Sequence, residues 1–170
     1  QDGQGQGGAS QGGSSKEQSE KEQNASRATE ELTVALKEQI DQGLIEVEQR
    51  DGKVFVTVGS GGAFPSGTAD LTGEAQRIMD RIALTAMSPD SSITVTGHTD
   101  DVPISNGQFR DNWDLGAGRA ASVVQAIQST GLISGDRLSA VSKGEMVPVA
   151  DNNTAAGRKQ NRRIEIEISY

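Results

Sequence analysis

The stretch ITVTGHTDDVPISNGQFRDNWDLGAGRAASVVQAIQ, residues 93–128, combines a β-branched run, a polar loop and an amphipathic segment. Ile93–Thr96 predicts a strand, because β-branched residues pack well on a pleated surface. From about Trp113 to Gly131 the apolar residues recur at helical spacing, which predicts a helix that buries one face. That face carries Gly116, Ala120, Val123 and Ile127. The polar loop between the strand and the helix contains the only His of the chain, and the function of its polar residues is the question that the sequence raises.

Elements on both sides of this stretch extend it to an α/β pattern. Their hydrophobic periods and turn residues predict a short helix over Leu32–Ile40 that stops at Gly43, a hairpin that turns at Asp51-Gly52, a helix over Ala75–Ala86 with Thr72 as N-cap, and strands near Arg137–Ser142 and Ile164–Ile168. The last strand alternates apolar and charged residues, so one face is expected to meet helices and the other water.

The N-terminal segment has a different composition from the rest. Residues 1–27 contain mostly Gly, Gln, Ser and charged residues, with Ala as the only apolar type. Such a segment cannot bury a core, so we expect a flexible linker over 1–27 and one globular domain over 28–170. A chain that opens on Gln1 without a signal peptide is expected to be a fragment of a longer protein.

Composition excludes several classes of function. The chain has 16 Lys and Arg against 24 Asp and Glu, a net charge of −8, which disfavours nucleic acid as a partner. It has no Cys, which removes disulfides, thiolate zinc sites and Cys nucleophiles. No apolar run approaches the ~20 residues that cross a bilayer.

Other chemistries of the 97–120 segment remain alternatives. His98 and Asp100 share a face on an extended chain, but one His without Cys is poor zinc chemistry, and the acidic residues do not have EF-hand spacing. A Ser-His-Asp hydrolase would need a nucleophile, and no Gly-x-Ser-x-Gly elbow is present. The loop could also serve only to cap the helix, with Asp111 or Asn112 as N-cap. We therefore expect neither a metal nor another cofactor.

The Gly-rich segment Gly59–Gly62 lacks the Gly-Lys-Ser/Thr ending of a P-loop. It is interpreted as a connection between elements.

Asp100 and Arg119 flank the loop on its two sides. Asp100 follows the strand, and Arg119 lies on the helix, whose side chains lean toward its N-terminus, so both can face one cleft. Together they could bind a zwitterion, with Asp100 taking the ammonium group and Arg119 the carboxylate. The alternative is a salt bridge between Asp100 and Arg119 themselves, and the residues alone do not separate the two.

Three separated motifs resemble the OmpA-like peptidoglycan-binding family over about residues 30–168. They are GHTDD at 97–101, NWDL followed by RAASVV at 112–124, and GRKQNRRIEIEI at 157–168. Further segments are similar to one branch of that family, the flagellar stator B subunits of MotB and PomB type. These are Phe64-Pro65-Ser66-Gly67, Asp101-Val102-Pro103-Ile104 and Phe109-x-x-Asn112-Trp113.

The resemblance implies helices packed on one face of a mixed β-sheet, and a non-enzymatic domain that binds the diaminopimelate stem peptide of peptidoglycan. It implies that Asp100 and Arg119 grip the diaminopimelate and that one Arg of the Asn-Arg-Arg run assists. Strand parity places Arg162 with Ile164, so we favour Arg163 for the site. Thr99 and Asn112 are then loop residues of the binding site, and His98, Asp101 and Arg162 support it.

The resemblance also implies partners and a location. The family branch works as a homodimer and joins a MotA- or PomA-type channel subunit through a membrane helix, which is absent from this sequence. The domain would lie in the periplasm and anchor the motor stator to the cell wall. An ordinary OmpA-like wall tether of another envelope protein is the first alternative, and a peptidoglycan-modifying enzyme is the second.

One departure from the family pattern falls at the start of the third predicted helix. The chain has Leu115-Gly116-Ala117-Gly118-Arg119 where the family has Leu-Ser-x-x-Arg-Ala. Each Gly costs about 1 kcal/mol relative to Ala inside a helix, which predicts a looser helix start.

Overall fold

A computed structural model describes residues 8–170, and side chains from Ser15 onward. The helices are α1 Gly8–Ala35, α2 Lys37–Asp41, α3 Ser60–Ala63, α4 Gly73–Ala86, α5 Asn112–Ser129 and α6 Ala155–Asn161, with a 3-10 turn at Gly135–Arg137. The strands are β1 Ile45–Arg50, β2 Lys53–Gly59, β3 Ser92–His98, β4 Leu138–Gly144 and β5 Arg163–Ser169.

The strands form one five-stranded mixed sheet in the order β1-β2-β5-β3-β4. The β1–β2, β2–β5 and β5–β3 pairs are antiparallel, and β3–β4 is parallel, with α5 in the connection between them. The last strand in sequence therefore lies in the middle of the sheet. This position brings the Asn-Arg-Arg run at the start of β5 next to the end of β3, where the polar loop begins.

The core lies on one face of the sheet, as the alternation in the last strand predicts. Alternate residues of β2, β5 and β3 are buried there under the helices: Val54, Val56, Val58, Ile164, Ile166, Ile168, Ile93 and Val95. The intervening residues of β5, Glu165 and Glu167, are partly exposed on the opposite face. The predicted architecture of helices on one face of a mixed sheet is confirmed.

Two local predictions are confirmed by backbone geometry. Asp51 and Gly52 both have positive φ, 53° and 73°, which is the requirement of a type I′ hairpin turn. The Thr72 hydroxyl accepts a hydrogen bond from the Ala75 amide and caps α4.

Most of the segment predicted as a linker is helical in the structure. Residues 8–27 are helical and belong to α1, whereas residues 1–7 of the predicted linker lie outside the described residues. The helix is anchored by a contact that composition does not reveal, since Ala25 and Ala28 are fully buried with Leu32 in the core. Once a packed segment nucleates a helix, adding each further residue is inexpensive, and Gln, Glu and Lys propagate it well.

The predicted helix over Leu32–Ile40 is divided at Leu36 between the end of α1 and α2. Within residues 8–170, no helix combines the length and apolar character needed to cross a membrane.

Candidate functional site

A cavity of about 510 Å³ opens where the end of β3 and the start of β5 meet α5. Its walls come from the β3–α5 loop, from the α3 region and from the helical segment before β5. The lining residues are Ser60, Gly61, Phe64, Ser66, Gly67, Thr99, Asp100, Val102, Pro103, Ile104, Asn112, Leu115, Arg119, Arg158 and Arg162. The Gly-rich segment interpreted as a connection thus forms a short helix and part of the cavity wall.

The acid of the cavity is Asp100, which is 7% exposed. Its Oδ1 accepts a hydrogen bond from the Val102 amide at 3.0 Å. Its Oδ2 accepts one from Nη1 of Arg162 at 2.6 Å. The carboxylate is therefore fixed in direction by the loop backbone and by a cation from the other end of the chain.

Asn112 holds the loop that carries this acid. Its side-chain Nδ2 donates to the backbone carbonyls of Asp100 and Val102, at 3.3 and 3.1 Å. The Thr99 amide donates to the Gly144 carbonyl at 2.9 Å and ties the loop to β4. Thr99 and Asn112 also line the cavity.

Arg119 lines the same cavity from α5, and it is only 5% exposed. Its Nε donates to the Thr68 carbonyl at 2.7 Å, and its guanidinium carbon lies 4.9 Å from the centre of the Phe64 ring. Its two terminal amino groups make no hydrogen bond to any of the described residues. The stem and Nε are thus anchored, which fixes the place of the guanidinium in the cavity.

Asp100 and Arg119 do not form the salt bridge that was the alternative interpretation. Among the described residues, Asp100 pairs with Arg162 instead. The pKa of Arg119 is lowered to about 10, chiefly by burial and then by the nearby charge of Arg162, whereas the charge of Asp100 acts to raise it. Arg119 remains a cation at neutral pH and lies within the electrostatic reach of both neighbours.

The choice between the two adjacent arginines has to be corrected. Arg162 lines the cavity, whereas Arg163 turns to the opposite face of the sheet, where its Nε meets Glu165 at 3.0 Å. The other amino groups of Arg163 donate to the Asn161 and Val147 carbonyls, both at 3.1 Å. The prediction from strand parity was right about opposite faces but chose the wrong one, because the cavity lies on the helix side that Arg162 shares with the apolar core.

Arg158 was not among the predicted site residues. This residue lines the cavity from α6, and its Nη1 donates to the Asn152 carbonyl at 2.9 Å. The Arg162 amide bonds to the Arg158 carbonyl, so the two arginines are one helical turn apart. Their four-residue spacing was a usable signal, since such pairs share a helix face.

Two residues predicted to support the site lie elsewhere. His98 is buried, but its Nε2 faces Glu165 at 3.1 Å on the open face of the sheet. Asp101 is exposed and does not line the cavity. Among the described residues, no group of three or more His, Cys, Asp or Glu is arranged to hold a metal ion.

The start of α5 is held firmly, contrary to the expectation from its glycines. The Asp111 side chain accepts from the Asp114 amide, and Arg110 binds Asp114 with both Nε and Nη2, at 2.7 and 2.9 Å. The pKa of Asp114 is lowered to about 2, chiefly by the hydrogen bond from the Arg110 side chain. The glycines themselves fill tight places: a β-carbon on Gly118 would lie 2.9 Å from the Phe109 ring.

The region that forms the cavity is similar in sequence to known proteins. The model of the OmpA family matches residues 63–162, which contain every wall of the cavity except its first residues. Motility protein B of Bacillus subtilis (strain 168) is 33% identical over 125 residues, or 73% of this chain and 48% of that protein. The chain spans about half the length of the curated relatives it matches first.

Two solved structures share the fold. The cell wall anchor of the T6SS from Pseudomonas aeruginosa superposes with a TM-score of 0.75 and 32% identity, covering 81% of this chain and 96% of that one. A MotB-like protein from Desulfovibrio vulgaris gives a TM-score of 0.77 and 26% identity, covering 89% and 94%.

Proposed function

The chain belongs to the OmpA family, and we propose that it is a non-enzymatic anchor whose cavity binds the diaminopimelate residue of a peptidoglycan stem peptide. The main observation behind this proposal is the state of the Arg119 side chain. Arg119 is 5% exposed, yet its terminal amino groups have no partner among the described residues and face a cavity that also contains Asp100. A buried cation with unused donors favours an anionic ligand that can be approached in a fork geometry.

The two charged groups of a free amino-acid centre match two oppositely charged residues of the cavity, Arg119 and Asp100. Arg119 would donate both terminal amino groups to the carboxylate, with Thr68 and Phe64 keeping the guanidinium in place. Asp100 would accept from the ammonium group. An ionised carboxylate has about four lone-pair sites, so the bonds from Val102 and Arg162 leave capacity for this contact.

For the whole protein we propose a periplasmic domain of an inner-membrane flagellar stator subunit. The similarity to Motility protein B and to a MotB-like structure supports this assignment. In this role the domain would form a homodimer, and a segment outside this sequence would join a MotA- or PomA-type channel subunit. The cavity would supply the fixed point that lets the motor deliver torque without slipping.

A general cell-wall tether is the second candidate. It is favoured by the similarity to the T6SS wall anchor, 96% of which is covered by this chain. The two candidates share the ligand and differ in what the chain is attached to. Expression of the complete gene in a strain that lacks its stator B subunit would separate them, because only a stator subunit is expected to restore swimming.

Pull-down with purified cell wall tests the shared proposal. We expect wild-type protein to sediment with the wall, and Arg119→Ala and Asp100→Asn each to lose most of this binding. Loss of one partner of a desolvated charged contact costs about 2–5 kcal/mol. Arg81→Ala is the matched control, since it removes an exposed arginine of α4 that lies outside the cavity. Equal sedimentation of all four proteins, with unchanged circular dichroism, would refute the site.

A further inference from the structure

The cavity carries more positive charge than a zwitterion can balance. Its lining contains three arginines, Arg119, Arg158 and Arg162, and one acid, Asp100, which leaves a net charge of +2. A free amino-acid centre has one ammonium and one carboxylate, so binding it leaves the net charge of the cavity unchanged. A concave site lined mainly by one sign of charge concentrates ligands of the opposite sign.

The unused donors point to a place for a second anion. Arg119 reaches the cavity from α5. Arg158 on α6 uses Nη1 on the Asn152 carbonyl and Arg162 uses Nη1 on Asp100, while neither uses Nη2 within residues 8–170. These two arginines lie one helical turn apart and line the same cavity, which makes them candidates to share one carboxylate. Burial and the charge of Arg162 lower the pKa of Arg119 to about 10, which is consistent with cations that repel each other until an anion arrives.

We infer that the cavity binds a ligand with two free carboxylates and one ammonium, the second carboxylate on Arg158 and Arg162. This inference rests on the proposed function and refines its ligand. In a stem peptide that ends at diaminopimelate, the main-chain carboxylate is free, next to the zwitterionic side-chain centre. In a stem that continues with D-alanine, that carboxylate is part of an amide and cannot form a charge-assisted bond.

Calorimetric titration of the chain with defined muropeptides tests the inference. The probes are a tripeptide stem that ends at diaminopimelate, the same stem extended by D-alanine, and the tripeptide stem with its main-chain carboxylate amidated. We expect the tripeptide stem to bind about tenfold more tightly than the other two, since a hydrogen bond between charged groups is worth that factor or more. The extended stem gains a new carboxylate on its D-alanine, so only the amidated stem isolates the loss of charge at diaminopimelate. We expect both of these stems to bind less tightly than the tripeptide stem.

Arg158→Gln is expected to reduce the preference for the tripeptide stem toward equal binding. Lys159→Gln is the matched control, because it removes one positive charge at the next, exposed position of the same helix and leaves the cavity unchanged. Equal affinity of the wild-type chain for the tripeptide and amidated stems would overturn the inference and leave the proposed function standing. Failure of every stem to bind would overturn both.

Discussion

The backbone of Gly97 at the end of β3 lies directly against the backbone of Gly116 in α5. A β-carbon added to Gly97 would overlap the carbonyl oxygen of Gly116, and one added to Gly116 would lie 2.5 Å from the Ser142 hydroxyl. Strand and helix therefore approach each other more closely than side chains would allow. This contact sets the height of α5 above the sheet, and with it the position of Arg119.

The first prediction follows from this contact. Gly97→Ala should lower the free energy of unfolding by about 1–3 kcal/mol or more, because the obstructing atoms are backbone and cannot rotate away. It should also weaken wall binding, since α5 has to move. Urea denaturation measures the stability change. Gly107→Ala is the control, as its added β-carbon meets nothing within 4 Å, and an equal loss in both variants would contradict the close-contact argument.

The second prediction separates the two adjacent arginines. Arg162→Ala should reduce sedimentation with the cell wall about tenfold, because it removes a cation that contacts Asp100 in the cavity. The urea midpoint should change little, because the Arg162 side chain is 39% exposed. Arg163→Ala should lower stability by about 2–3 kcal/mol, because it removes hydrogen bonds from a guanidinium that is 4% exposed. Its folded fraction should still bind the wall. The reverse pattern would restore the assignment made from strand parity.

The third prediction concerns the stability of the fold at low pH. The hydrogen bond from His98, followed by that from Arg163, lowers the pKa of Glu165 to about 2, against an ordinary value of 4.5. A carboxyl group whose pKa falls on folding stabilises the fold above its unfolded pKa, and this contribution is lost as the pH falls from about 4.5 toward 2. Glu165→Gln should therefore be less stable than wild type at pH 7, by no more than about 1 kcal/mol since solvent screens the half-exposed carboxylate.

The difference between Glu165→Gln and wild type should shrink between pH 5 and pH 3, as measured by urea midpoints. Glu167→Gln provides the comparison, because it removes the next outward-facing carboxylate of β5, which pairs with Lys53. A difference for Glu165→Gln that stays constant down to pH 3 would argue against a stabilising His98–Glu165 contact.

The fourth prediction tests the attachment of α1 to the core. Ala25→Asp should release the N-terminal part of the helix, because Ala25 is fully buried and an unpaired carboxylate cannot remain there at low cost. Amide hydrogen exchange over residues 15–30 should become faster, while protection in β5 changes little. Gln23→Asp places the same charge on the exposed side of the helix and should leave exchange unchanged. Unaltered exchange in Ala25→Asp would favour the flexible linker expected from composition.

Much of the fold could be predicted because its signals are local. The Asp51-Gly52 turn, the Thr72 cap and the alternation of Ile164, Ile166 and Ile168 depend on backbone preferences within a few residues. The position of Asp100 after a strand and of Arg119 on the following helix was equally readable. These two residues lie in one cavity because a strand, a loop and a helix that are consecutive in sequence allow few other arrangements of their side chains.

The sequence by itself determined the five strands, the helices α4 and α5, the apolar face of each and the polar loop, since these follow from periods of two and 3.6 residues along the chain. Only the tertiary structure decided which cation meets Asp100, because Arg162 is 62 positions away and arrives through the central place of β5 in the sheet. The same holds for the burial of Ala25 and the contact of Gly97 with Gly116. A short or absent side chain has no periodic signature, and its role is set by the element that packs against it.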